Sequence, residues 1–246
     1  MNEDFIIKRY GKKPKFKKPI LIEGFPGVGN VARIVVDFMI SKLKAKKFME
    51  LYTYYFPNSV FMNEDHSIEM PKVEFYYHKN LIFVVGDAQP SDEYASYIFS
   101  EKLIEIAKSL GVKEIITLGG ITSRVYSQNP IVYGAYTDET YVKKLSKIGV
   151  HFDRGSPIVI IGAAGLLLGL GKLKGIKGFS LLAETPVQTK FGFAAAKSIL
   201  EILMKYLNLK FSIKEIEQEV KNIRKLPLIK KKVVKKPQTK HLTYIG

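Results

Sequence analysis

The stretch GFPGVGN, residues 24–30, sets Gly24, Gly27 and Gly29 between a short apolar run and a helical pattern. A glycine turn that opens a helix offers unpaired backbone N–H groups to a phosphate. The spacing here is G-x-x-G-x-G, which is neither the dinucleotide fingerprint nor a phosphate loop ending in Gly-Lys-Ser/Thr, and Pro26 supplies no N–H. Gly27 and Gly29 therefore serve either a ligand crevice or a tight turn that packs strand on helix. Asp87 and Glu184 close two further apolar runs, LIFVVGD and FSLLAE. Open α/β sheets gather their ligand sites at such strand ends. Two carboxylates meeting there could act as general acid and base, whereas apart each would hold the turn that follows it through backbone N–H groups.

Other chemistries find no pattern to stand on. His66, His78, His151 and His241 lack the spacing and acidic companions of a metal site, so neither metal nor cofactor is expected. There is no G-x-S-x-G elbow, and Ser123, Ser127 and Ser156 read as loop serines. With no cysteine in 246 residues the chain has no disulfide and no thiolate. That suits a reducing compartment, and the acidic start Asn2-Glu3-Asp4 is unlike a signal peptide, so a cytoplasmic protein is expected. The uncharged run 155–171 holds five glycines and Pro157 in 17 residues, short of the roughly 20 apolar residues of a spanning helix. It reads as a buried strand and turn.

The net charge of +16 raises the question of nucleic acid. Residues 1–18 carry +5 and residues 225–246 carry +7, which leaves only +4 on the whole of 19–224. The excess belongs to the two ends, and it is lysine rather than the base-reading arginine. Nucleic acid is not an expected partner.

The elements that position these residues follow from periodicity. An apolar run from Pro19 passes through the glycine turn into VARIVVDFMISKL, with Val31, Ile34, Val35, Phe38 and Leu43 on one helical side. Aromatic-rich stretches at 48–56, 59–62 and 72–78 predict antiparallel or edge strands. LIFVVGD at 81–87 is apolar enough to be covered on both faces. A helix is predicted from about Tyr94 to Leu110, then strands at 114–120, 131–136 and 179–184, and helices at 138–147, 191–207 and 212–224. In GAAGLLLGLGKLKG, Leu166, Leu167 and Leu168 make a helix apolar nearly all round, which must be buried in the core or against another subunit. The expectation is one α/β domain over 19–225, a mostly parallel sheet with helices on both faces and an antiparallel strand-rich insertion. A basic N-terminal segment, 1–18, precedes it, and a flexible basic tail, 226–246, follows.

Five segments occur in an order that resembles the proteasome assembly chaperone 2 family, most closely its archaeal members. They are GFPGVGN at 24–30, GDAQPS at 86–91, ITLGGI at 116–121, GAAGLLLG at 162–169 and LLAETP at 181–186. The resemblance implies a nucleoside-phosphorylase-like fold acting as a homo-oligomeric binding scaffold without established catalysis. It also implies that a C-terminal signature, hydrophobic residue, tyrosine, any residue, enters pockets between α-subunits of the 20S proteasome.

Here the chain closes on Leu242, Thr243, Tyr244, Ile245 and Gly246. Tyr244 stands third from the end, one place from the family position, a shift of roughly 3.3 Å along an extended chain. Leu242, Tyr244, Ile245 and Gly246 are the candidate partner-binding residues. The alternative reading is a small-molecule hydrolase or phosphorylase-type enzyme that uses Gly27, Gly29, Asp87 and Glu184.

Overall fold

A computed structural model describes residues 4–153, 155, 159–186 and 191–225. Ten strands and six helices follow one another along these residues. β1 is Phe5–Arg9 and β2 Ile20–Gly24; a single turn of tight helix at Val28–Asn30 leads into α1, Val31–Leu43. β3 (Lys46–Thr53), the short hairpin of β4 (Phe61–Met62) and β5 (Ile68–Glu69), β6 (Val73–His78) and β7 (Leu81–Gly86) come next. The chain continues through α2 (Glu93–Ser109), β8 (Glu114–Ser123), β9 (Val132–Tyr136) and α3 (Thr140–Ser146). α4 (Ala163–Leu173), β10 (Lys177–Pro186), α5 (Phe193–Tyr206) and α6 (Lys214–Lys225) complete it.

Eight strands form one sheet in the order β1-β3-β6-β7-β2-β8-β10-β9. The four central strands, β7, β2, β8 and β10, run parallel, while β1-β3, β3-β6, β6-β7 and β10-β9 pair antiparallel. The sheet is therefore mixed, and the expected parallel majority does not hold. The reason is connection length: only Lys79 and Asn80 separate β6 from β7, and a two-residue link can join only antiparallel neighbours, whereas a parallel pair needs a crossover. Within the basic segment 1–18, Phe5–Arg9 is itself an edge strand of this sheet, registered Phe5 to Thr53.

Each sheet face buries its own apolar layer. On one side Ile22, Ile116, Phe179 and Leu181 meet Val31, Val35 and Met39 of α1 and Ile199 and Leu203 of α5. On the other Leu21, Ile82, Val84 and Ile115 meet Phe99 and Leu103 of α2 and Leu167 and Leu168 of α4. α2 starts where Asp92 Oδ1 accepts the Ala95 N–H at 2.8 Å. The leucines of α4 settle there because the sheet beneath is small: Leu168 lies over Gly178, where a Cβ would come within 2.9 Å of it. Leu166 is half-buried on the flank.

The described part of the run 155–171, residues 155 and 159–171, holds no buried strand. Val159 and Ile161 are 82% and 86% exposed, and the residues from Ala163 on are helical. The sheet has no vacancy for them, because β10 already fills the ladder beside β8 and β9 closes its outer side. Among the described residues no helix is long and apolar enough to cross a membrane.

Candidate functional site

β2 carries an acid inside its apolar run. Glu23 alternates with Ile22, so its side chain joins Leu21 on the α2/α4 side of the sheet, where it is 1% exposed. One carboxylate oxygen accepts the Phe25 N–H at 2.7 Å and the other the Leu118 N–H at 3.1 Å. Burial pushes the Glu23 carboxyl up to about 7, and the two backbone donors, which favour the charged form, offset only part of that.

Glu23 heads a polar row. β2 and β8 are in register from Ile20–Glu114 to Ile22–Ile116, so the next step sets Glu23 beside Thr117, and Thr117 in turn pairs with Ser180 of β10. Thr117 and Ser180 are fully buried, and among the described residues neither hydroxyl meets a hydrogen-bond partner.

At Glu23 opens a cavity of about 400 Å³, with Glu23, Gly119 and Leu182 beneath it and Gly27, Gln89 and Ile161 among its walls, while Thr117 and Ser180 are not part of its lining. It sits at the C-terminal ends of β2 and β8. The chain leaving β2 turns to α1 on one face while that leaving β7 turns to α2 on the other, and such a divergence is where open α/β sheets leave a crevice. Gln89 fixes the wall: its Nε2 donates to the Pro26 carbonyl at 2.6 Å, and its Oε1 accepts the Ala163 N–H at 2.8 Å. One side chain thus ties the glycine turn to the start of α4.

The sequence candidates separate. Gly27 lines the cavity. Gly29 does not; it holds the turn with φ of 62°, and a Cβ there would stand 2.6 Å from Thr185 Cγ2. Asp87 fastens an edge: Oδ2 accepts the Lys72 N–H at 3.1 Å and Oδ1 faces Arg33 Nη1 at 3.4 Å. Glu184 is half-buried beside Ile121, its backbone N–H given to the Ile131 carbonyl at 3.0 Å. β2 and β8 lie between β7 and β10, which puts Asp87 and Glu184 roughly 14 Å apart at about 4.8 Å per strand. They do not form an acid–base pair. Leu242, Tyr244, Ile245 and Gly246 lie outside the described residues.

The profile of the PAC2 family matches residues 21–226. The chain belongs to the PAC2 family. A Methanocaldococcus jannaschii relative, MJ1210, is 33% identical over 264 aligned positions, covering 98% of this chain and 99% of its own. Among solved structures, Pyrococcus furiosus PbaB, described as an archaeal proteasome activator, superposes with a TM-score of 0.84 at 34% identity, covering 90% of this chain and 96% of PbaB. PbaA of the same organism, an archaeal homologue of proteasome-assembly chaperone, gives a TM-score of 0.72 at 25% identity over 89% of this chain and 92% of PbaA.

The five segments that carry the PAC2 resemblance converge in space. Gly27, Gln89, Gly119, Ala164 and Leu182, one from each, all line the Glu23 cavity. Glu23, Thr117 and Ser180 are absent from the sequence reading, yet each leaves a mark: one polar residue within a short apolar run, in ILIEG, IITLG and FSLLA.

Proposed function

We propose that this PAC2 protein is a cytoplasmic scaffold of the proteasome assembly chaperone or adaptor type, with no catalytic role. Its folded body self-associates, and several copies of the 226–246 segment present Leu242, Tyr244, Ile245 and Gly246 to a grooved partner such as the α-ring of the 20S proteasome. The observation that carries this reading is the agreement with PbaB over nine-tenths of the chain at 34% identity.

Two physical features support it. Val159, Ile161 and Leu173 leave large apolar side chains more than four-fifths exposed, a surface suited to a second copy or another protein. The six lysines among residues 230–246 would add a long-range attraction to an acidic partner that weakens with salt. Repetition of the segment in an oligomer would raise its effective concentration, offsetting weak docking by any single copy.

The test is deletion of residues 240–246. The truncated protein is expected to lose capture of archaeal α-rings in a pull-down while keeping its oligomeric mass. Undiminished capture would refute the proposal.

A further inference from the structure

The floor of the cavity holds a carboxyl group without a counter-ion. Among the described residues no cationic side chain pairs with Glu23; the two backbone N–H groups each take one oxygen, and each oxygen keeps acceptor capacity. Beside it the Thr117 and Ser180 hydroxyls are buried without partners among the described residues. Glu23, unlike Thr117 and Ser180, also lines the cavity, so its carboxyl is a buried acid that borders open space. The space next to Glu23 is the second observation. Its lining is otherwise mainly aliphatic and glycine, and at about 400 Å³ it falls within the size range of small-molecule sites.

The chemistry of the floor selects the ligand. An anionic group would meet Glu23, and the Ala163 N–H at the start of α4, which could have received it, is already given to Gln89. A cation supplies what Glu23 lacks. We propose that this cavity binds a small organic cation, an amidinium or ammonium head on a compact apolar body, with Glu23 as its counter-ion. A planar amidinium can donate to both carboxylate oxygens at once, and charge-assisted pairs of this kind are the strong ones. The apolar body lies against Leu182 and Ile161. This site is independent of the tail-mediated docking proposed above.

Because the ligand favours the ionised carboxylate, and burial holds that carboxyl near 7, binding releases a proton at lower pH. The test uses benzamidine as probe and calorimetric titration of the full chain between pH 5 and pH 8. Affinity is expected to rise about tenfold from pH 5 to pH 6 and to level off above pH 7, with proton release seen as a dependence on buffer ionisation heat. Glu23→Gln should weaken binding about 30-fold or more at pH 8 and remove the pH dependence.

Gly27→Leu keeps the carboxyl and fills the space. A Cβ at Gly27 meets nothing within 4 Å, and φ of −160° is extended backbone that leucine accepts. This variant should lose benzamidine while unfolding as the parent does. No binding by the parent at pH 8 with millimolar probe would overturn the proposal. So would tighter binding at pH 5 than at pH 8, which would mean a neutral Glu23 donating to the ligand, or undiminished binding by both variants.

Discussion

Stability of the folded body should fall between pH 5 and pH 8 through Glu23, and Glu23→Gln should remove that fall. The ordinary carboxyl value of 4.5 applies to the unfolded chain, while the folded carboxyl is pushed up to about 7. Between those values the folded state holds a proton that the unfolded state has lost. Raising the pH through this window therefore favours unfolding, and above it the loss is complete. At 1.36 kcal/mol per unit, the gap is worth about 3 kcal/mol. Glutamine does not titrate, but its NH₂ faces a backbone N–H and leaves one of the Phe25 and Leu118 donors unpaired, at a cost of about 1–2 kcal/mol at any pH. In urea unfolding the parent, which by pH 5 has already lost about 0.8 kcal/mol of this stabilisation, should thus be the more stable there by up to about 1 kcal/mol, and the variant should be the more stable by about 1–2 kcal/mol at pH 8. Every other titrating group is common to both proteins and cancels. A difference between the two that stays constant within about 0.5 kcal/mol from pH 5 to pH 8 would refute the reasoning.

Three further perturbations probe other parts of the fold. Gly29→Ala forces a Cβ into Thr185 at a positive φ and should cost about 2–3 kcal/mol in denaturant unfolding. Glu50 is 3% exposed, and burial pushes its carboxyl up, but Lys47 Nζ and the Tyr10 hydroxyl donating at 2.6 Å and the Tyr52 hydroxyl at 2.9 Å together outweigh that and hold it down at about 2. Its contribution is present above about pH 4.5 and lost as pH falls toward 2, so Glu50→Gln should flatten the acid limb of a stability profile. Solvent around the one-third-exposed Lys47 keeps the loss at neutral pH to about 1–2 kcal/mol. Replacing Val159 and Ile161 together by aspartate should lower the oligomer mass in light scattering with little change in unfolding midpoint, since both side chains stand in solvent in the single chain.

What was legible in the sequence was whatever local pattern determines. β7 read as a strand covered on both faces because LIFVVG is apolar without alternation, and five of its six residues are buried. The helix of Leu167 and Leu168 read as buried because it has no polar face, and it lies against α2 and the sheet. On α1 the periodic residues Val31 and Val35 are core, while Ile34 and Phe38 are only partly covered, Phe38 by Phe211 ahead of α6. That cover comes from a segment more than 170 positions away, beyond any local window.

What was not legible depends on strand order. Asp87 and Glu184 each close an apolar run, although β10 continues through Glu184 to Pro186, and nothing local says that two strands separate them. By the same token the row Glu23, Thr117, Ser180 exists only once β2, β8 and β10 are known to be neighbours in register. The aromatic stretches predict antiparallel strands, and β3 and β6 do pair so, but β1 and β9 add one further antiparallel pair at each edge that no local pattern signals. The 159–161 segment has the composition of a core strand and no slot in the ladder, so its apolar side chains face outward.

The central claim, that the folded body is a scaffold and the closing residues are its docking peptide, is tested most directly by the equilibrium affinity for purified archaeal 20S proteasome. Full-length protein and protein lacking residues 240–246 would be measured side by side at low and high salt, at matched oligomeric mass. Saturable binding by the full chain that weakens with salt and vanishes on deletion is the predicted result. Equal affinity of the two proteins, or no binding by the full chain at low salt, would contradict it.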